Sequence, residues 1–220
     1  MSVAETNGDP LTRSVSAIFF RYAVPEVVGL LALSSAGLVD AIFLGNYVGS
    51  EALAAVNLSV PLLSLTYGLA MMIAVGGSVV CGKYLGEKNH SAANEMFTKT
   101  FLFSLAVGLL LSLLLGVILI DQLTIALGAT ETRLIEPLRI YAGVLLWFTP
   151  FVMLEMVLFY FVRLDGQPTF AAMSLVVGAV VNIYLDWLLI VHLEYGIMGA
   201  ALATASGAVL VTVMLLPHFF

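Results

Sequence analysis

An amide and a carboxyl group four positions apart in an apolar segment are the residues of this sequence best placed to do chemistry. Asn182 and Asp186 stand in the segment 182–186, and an i, i+4 spacing places two side chains on one face of a helix. An amide oxygen beside a carboxylate, with no basic residue nearby, offers hard oxygen ligands to a small cation such as Na⁺, or a carboxyl group that takes up a proton. The same pair would equally serve to hydrogen-bond a neighbouring helix, and the spacing leaves both interpretations open.

Three further acidic residues fall inside apolar segments, where a charge at the helix centre costs roughly 2.5–3.5 kcal/mol on insertion scales. Asp40 stands near one end of such a segment, and it either contacts water at the interface or faces an interior cavity. Glu26 follows Pro25, a residue that removes a helical hydrogen bond and acts as either a hinge or a fixed bend, and we expect Glu26 to reach water there. Glu155 is expected to pair with Arg163 two turns later or to reach the nearby interface.

The sequence matches enzyme motifs and metal-site motifs only incompletely. The segment Gly77–Lys83 matches G-x-x-x-x-G-K, but Tyr84 replaces the Ser or Thr that would bind magnesium, and the segment closes an apolar helix instead of following a strand. Ser206 has no histidine placed to act as its base, the three histidines lie far apart, and the single cysteine, Cys81, excludes an internal disulfide. The sequence therefore predicts neither an enzyme nor a protein with a bound cofactor.

The composition indicates which solvent surrounds these residues. Of 220 residues, 61% are hydrophobic and 10% charged, and the mean hydropathy is +1.09, whereas an ordinary soluble domain is about 45–50% apolar and about 25% charged. These values exclude a soluble globular protein, a disordered chain and a nucleic-acid binder. At about 35 residues for a membrane helix with its connection, the chain has room for about six membrane spans.

The apolar segments divide the chain into a tail and a membrane lobe. We predict a flexible tail over 1–13 and a lobe over 14–220, with spans at about 14–44, 53–81, 97–120, 138–161, 170–191 and 197–216. Six basic residues would lie on one side of the membrane and two on the other: Arg13, Arg21, Lys83, Lys88, Lys99 and Arg163 against Arg133 and Arg139. Since basic residues concentrate on the cytoplasmic side, we expect a multi-pass protein of the inner or plasma membrane with both termini in the cytoplasm.

Four features, in their order and spacing, resemble the amino-terminal half of the multidrug and toxic compound extrusion (MATE) family. They are Pro25 with the later segment Val39–Gly45, the segment Arg163–Pro168, the pair Asn182 and Asp186, and the segment Gly196–Thr204. The resemblance covers nearly the whole chain. It implies an all-α integral membrane protein, a six-transmembrane-helix bundle that forms one lobe of a transporter whose two lobes face each other across a cavity.

The resemblance also implies a cation site within this lobe. Matched residue by residue, that site comprises four side chains that bind Na⁺ or take up H⁺, namely Asp40, Asn182, Asp186 and Thr204. Tyr141 corresponds to a tyrosine of the same cavity, where substrate would bind, and Pro25 to a proline at which the first helix is proposed to bend. At two positions where some members carry polar residues, this chain has Leu33 and Ala36.

The function implied by the resemblance is an antiporter that exports cationic or amphipathic drugs in exchange for Na⁺ or H⁺, without a cofactor. Its second lobe would belong to the same longer chain or to a second half-size subunit, and the lipid bilayer would surround both. Two alternatives remain: a non-transporting membrane binding module or half-size subunit, and a lipid-precursor flippase of the same superfamily. A flippase would need a cationic cavity for a pyrophosphate, and only Arg21 and Arg139 are available for it.

Overall fold

The structure, a computed structural model, describes residues 15–127 and 132–219, and all the regular secondary structure of these ranges is helical. The predicted tail over 1–13 lies outside them. The α-helices, in chain order, are α1 (Val15–Phe43), α2 (Ser50–Gly86), α3 (His90–Leu111), α4 (Ile120–Ala126), α5 (Thr132–Trp147), α6 (Thr149–Leu164), α7 (Pro168–Asp186) and α8 (Gly196–Leu215). Wide π-helical turns extend α1, α3 and α7 over Leu44–Val48, Ser112–Ile118 and Trp187–His192.

The long helices are apolar enough to cross a membrane. Five of them qualify singly, namely α1, α2, α3, α7 and α8 with their extensions, and α5 and α6 qualify together as a bent pair. In lipid a backbone must satisfy its own hydrogen bonds, which helices do along their length. The predicted fold class, an all-α integral membrane protein built as a six-transmembrane-helix bundle, is therefore confirmed.

The fourth predicted span, over 138–161, consists of two helices instead of one. Helices α5 and α6 meet at Phe148 and are bent by 48°. Pro150, in the first turn of α6, has no N–H to donate to the last turn of α5, and a proline ring also crowds the preceding turn. The apolar run is continuous across this point, so hydropathy alone predicts a single span although the backbone bends within it.

Hydroxyl groups from neighbouring helices satisfy the backbone around this bend. Ser112 Oγ donates to the Trp147 carbonyl at 3.1 Å, and Ser104 Oγ on α3 donates to the Met153 carbonyl at 3.1 Å. Thr212 Oγ1 on α8 donates to the Phe151 carbonyl, also at 3.1 Å. We call the segment 147–153 with these three hydroxyl donors the helix break; in a bilayer such donors replace the water that would otherwise solvate the carbonyls.

Close approach of α7 and α8 determines where the polar residues of α7 lie. A Cβ atom on Gly207 would stand 3.4 Å from the Gly178 carbonyl oxygen and 3.7 Å from Cβ of Asn182. A Cβ atom on Gly178 would stand 2.6 Å from a methyl group of Val211, so no larger residue fits there without displacement. Small residues at such a crossing let two helices pack backbone to backbone, and this packing places Asn182 against α8.

Ion pairs mark the two ends of the bundle. At one end Arg163 Nη1 lies 2.9 Å from Glu26 Oε2, and Arg21 Nη2 donates to the Gly166 carbonyl at 3.0 Å. At the other end Arg139 Nε lies 3.0 Å from Asp121 Oδ1. The expected pairing of Arg163 with Glu155 is therefore wrong, because Arg163 turns toward α1 and its guanidinium is occupied by Glu26.

Candidate functional site

A cavity of about 360 Å³ opens among α1, α2, α5, α6, α7 and α8. Its walls are mostly apolar or small side chains, including Leu33 and Ala36. The polar side chains that reach it are Asp40, Tyr67, Tyr141, Glu155, Asn182 and Thr204. The volume lies in the range of about 300–1,000 Å³ that is typical of small-molecule sites.

The structure brings the predicted cation-site residues together beside this cavity. Asp40, Asn182 and Thr204 line it, although they come from α1, α7 and α8. Asp186, one turn after Asn182 on α7, is 0% exposed and interacts electrostatically with Asp40. The arrangement is compatible with the predicted site, whose role in transport stays a prediction.

The two remaining predicted residues differ in position. Tyr141 on α5 lines the cavity, is 5% exposed and interacts with Thr204 of α8. Pro25 lies within α1, which continues as a helix on both sides of it, fifteen positions before Asp40 and toward the end where Arg163 and Glu26 pair. Its function as a hinge stays a prediction.

Helix packing explains how Asp40 and Asp186 come close together. Helix α1 packs along α7, and a Cβ atom on Gly29 would lie 3.1 Å from a methyl group of Leu175, so the two helices are closely apposed. Asp186 is the last residue of α7 before the wide turn Trp187–His192. π-Helical turns occur frequently at functional sites because they change the direction in which side chains point.

Buried polar atoms without a hydrogen-bond partner are concentrated at this place. Among the residues that the structure describes, the fully buried side-chain N and O atoms with no partner are Asp40 Oδ1, Asn182 Nδ2, Asp186 Oδ1 and Asp186 Oδ2. Buried side-chain polar atoms are partnered in the large majority of cases, and each orphaned group carries its full desolvation cost. A ligand at this position would remove that cost.

The donor set fits a small hard cation or a proton. Three of the four orphaned atoms are carboxylate oxygens, and a half-turn of the Asn182 amide exchanges its nitrogen for its oxygen. Oxygen ligands of this kind suit hard cations. Within the described ranges no three His, Cys, Asp or Glu side chains cluster as metal ligands, so the set comprises two carboxylates with amide and hydroxyl groups.

Glu155 lies at the cavity, contrary to the expectation from the sequence. It is 7% exposed and lines the cavity from α6, instead of reaching the interface. Because α6 extends to Leu164, nine residues beyond it, Glu155 lies about 13 Å from the helix end. The available signal was the number of residues between Glu155 and Leu164. Counted to that helix end, it predicts a carboxyl group deep in the membrane.

Comparisons with known proteins give a consistent result. The MatE family model matches residues 25–188. The chain is 26% identical over 206 residues to multidrug export protein MepA of Staphylococcus saprophyticus, covering 94% of this chain and 45% of that protein. The curated relatives that it matches are thus about twice as long.

Solved structures show the same similarity in three dimensions. A MOP superfamily transporter from Pyrococcus furiosus superposes with a TM-score of 0.86 at 27% identity, over 92% of this chain and 44% of that chain. The outward-facing structure of a multidrug resistance MATE family transporter gives the same TM-score, identity and coverage. In each case the described helices correspond to one of two lobes.

Proposed function

This chain belongs to the MATE (MatE) family, and from that membership and the cavity geometry we propose that it is the amino-terminal lobe of a cation-coupled exporter of cationic or amphipathic compounds. Its relatives include proteins named multidrug export protein. The second lobe would be supplied by the same longer chain or by a second half-size subunit. Together the two lobes would enclose the cavity, of which this chain forms one side.

The observation that carries this proposal is the group of orphaned buried atoms on Asp40, Asn182 and Asp186 beside the cavity. The two carboxyl groups would hold Na⁺ or H⁺, with the Thr204 hydroxyl completing the set. A bound cation supplies the positive charge that makes burial of two neighbouring carboxylates tolerable. Cation and drug would favour opposite-facing states, since a ligand shifts such an equilibrium only by its difference in affinity for the two states.

We further propose that the chain lies in the inner or plasma membrane with both termini in the cytoplasm. The end of the bundle with Arg21 and Arg163 would face the cytoplasm, and the end with Arg139 and Asp121 would face outward, because basic residues concentrate inside. The accessibility of cysteines introduced as Glu51→Cys and Glu87→Cys, at opposite ends of α2, would test this orientation.

Transport by the full-length protein that contains this chain tests the proposed function directly. Purified protein in proteoliposomes should move N-methyl-4-phenylpyridinium against its gradient when a Na⁺ or a pH gradient is imposed, and one of the two gradients should dominate. No movement of this or other organic cations under either gradient would contradict the exporter. The same experiment identifies the coupling ion, because Na⁺ and H⁺ gradients are imposed separately.

The flippase alternative fits the cavity less well. A pyrophosphate needs cationic partners, whereas the described lining carries Asp40 and Glu155 and no Lys, Arg or His. Arg139 is paired with Asp121, and Arg21 reaches the Gly166 carbonyl at one end of the bundle. The non-transporting alternative is separated from the exporter by the transport experiment above.

A further inference from the structure

One carboxyl group that lines the cavity is not part of the predicted cation site. Glu155 lines the cavity from α6 while Asp40 and Asn182 line it from α1 and α7. Asp40 and Asp186 interact electrostatically with each other, whereas Glu155 interacts with Tyr67 of α2. The acidic residues that line the cavity thus come from different helices: Asp40 from α1, which packs along α7, and Glu155 from α6.

No basic side chain of the described ranges balances the Glu155 carboxyl. The residues that line the cavity include no Lys, Arg or His. Arg163, the one basic residue of α6, lies 2.9 Å from Glu26, and its guanidinium carbon lies 5.3 Å from the ring centroid of Phe159. A carboxylate inside a bilayer is costly without a partner. The Glu155 carboxyl group is therefore either protonated or balanced by a positive charge on a ligand in the cavity.

The surroundings of Glu155 indicate what kind of ligand brings that charge. The Tyr67 and Tyr141 side chains line the same space, and the other walls are apolar, as at Leu33 and Val211. Aromatic rings attract organic cations through their faces, and apolar walls are of no use to a small hydrated ion. The volume of about 360 Å³ admits a compact aromatic cation.

We propose, resting on the proposed function, that the Glu155 carboxylate holds the positive charge of the exported organic cation while Asp40 and Asp186 stay available to the coupling cation. Drug and coupling ion then occupy separate carboxyl groups of one lobe. Charge selectivity toward the substrate resides at Glu155. Selectivity toward the coupling ion resides at the contact of α1 with α7.

Equilibrium binding to the purified full-length protein tests this assignment. The probes are N-methyl-4-phenylpyridinium and uncharged 4-phenylpyridine at pH 8, which differ by a methyl group and the charge, and the readout is calorimetry. Glu155→Gln should weaken binding of the cation roughly tenfold or more, the range of a lost charge-assisted contact. It should leave the affinity for 4-phenylpyridine unchanged, and Glu155→Asp should retain part of the preference for the cation.

A matched control removes a carboxylate elsewhere. Glu51, whose side chain is 56% exposed beside Arg133, lies away from the cavity, and Glu51→Gln should bind both compounds as the wild type does. Equal affinity of wild type and Glu155→Gln for the cation would overturn the assignment, and so would an equal loss of both compounds. Absence of transport by the wild type would instead contradict the proposed function, so the two failures are distinguishable.

Discussion

The cavity and the helix break both place polar groups inside the bundle, and they differ in how those groups are partnered. At the helix break, the hydroxyls of Ser104, Ser112 and Thr212 each donate to a backbone carbonyl of another helix. At the cavity, carboxyl oxygens of Asp40 and Asp186 find no partner in the described chain. At the helix break, polar groups hold helices together. At the cavity they stay unpartnered, and under the proposed function they are available to a ligand.

This difference implies that the two regions respond differently to substitution. An orphaned polar group in hydrocarbon costs several kcal/mol, so its removal would not be expected to destabilise the fold. An interhelical hydrogen bond in a membrane contributes about 0.6 kcal/mol on average, so its removal costs stability without affecting the ligand. Substitutions in the cavity should therefore change transport, and substitutions at the helix break should change stability.

The largest effect is expected from Asp186→Asn in the full-length protein. The amide keeps the size of the side chain but neither takes up a proton nor neutralises Na⁺, so transport driven by an ion gradient should fall roughly 100-fold, toward the upper range of coupling factors. Proteoliposome uptake measures the transport, and thermal unfolding in detergent should show a midpoint equal to or above that of the wild type. Wild-type transport by this variant would remove Asp186 from the cation site.

Gly108→Ala should have the next largest effect, on stability. A Cβ atom at Gly108 would stand 2.7 Å from Cα of Pro150, and backbone cannot move aside as a flexible side chain can, so we expect a loss of about 1–3 kcal/mol from overpacking. Gly76→Ala is the matched control, because nothing lies within 4 Å of its Cβ position. Equal unfolding midpoints for the two variants would show that α3 does not pack tightly against the helix break.

Ser104→Ala should have a smaller effect of the same kind. It removes the donor to the Met153 carbonyl and should lower the unfolding free energy by about 0.6 kcal/mol, measured by unfolding in mixed detergents. Transport per folded molecule should be unchanged. A change in the ratio of Na⁺-driven to H⁺-driven transport would instead connect the helix break with the cavity and abolish the distinction between them.

The smallest effect is expected at an ion pair that is exposed to solvent. Lys99 and Glu95 form an ion pair with an N–O distance of 2.6 Å, but both side chains are mostly exposed, and such pairs contribute little. Lys99→Ala should leave both the unfolding midpoint and transport unchanged. A clear loss in either measurement would mean that this exposed pair contacts a part of the full-length protein.

The predictable part of the fold is what local patterns encode. Apolar length predicted the membrane-spanning class, and the i, i+4 spacing placed Asn182 and Asp186 on one face. The bend at Phe148 was not predicted, because Pro150 interrupts hydrogen bonding without interrupting hydrophobicity. The position of Glu155 was missed for a related reason, since its depth depends on that bend and on where α6 ends.

Local sequence patterns do not predict which residues of different helices meet at the candidate site. No spacing within the sequence brings Asp40 of α1 to Asp186 of α7, or Thr204 of α8 to Tyr141 of α5. Family resemblance suggested these neighbours. Their proximity arises from helix crossings at small residues such as Gly29 and Gly207, and such crossings bring together residues that are far apart in the chain.

The wide turn Trp187–His192 contains one residue more than an α-helical turn would, because its hydrogen bonds join residues five apart, as from Leu193 N to Leu188 O at 2.9 Å. Each residue rotates a helix by about 100°. A relative lacking this extra residue would keep Asp186 in place and differ only beyond it. In an alignment, the gap would then belong inside the membrane helix, where single-residue insertions are least expected, and not in the loop that follows.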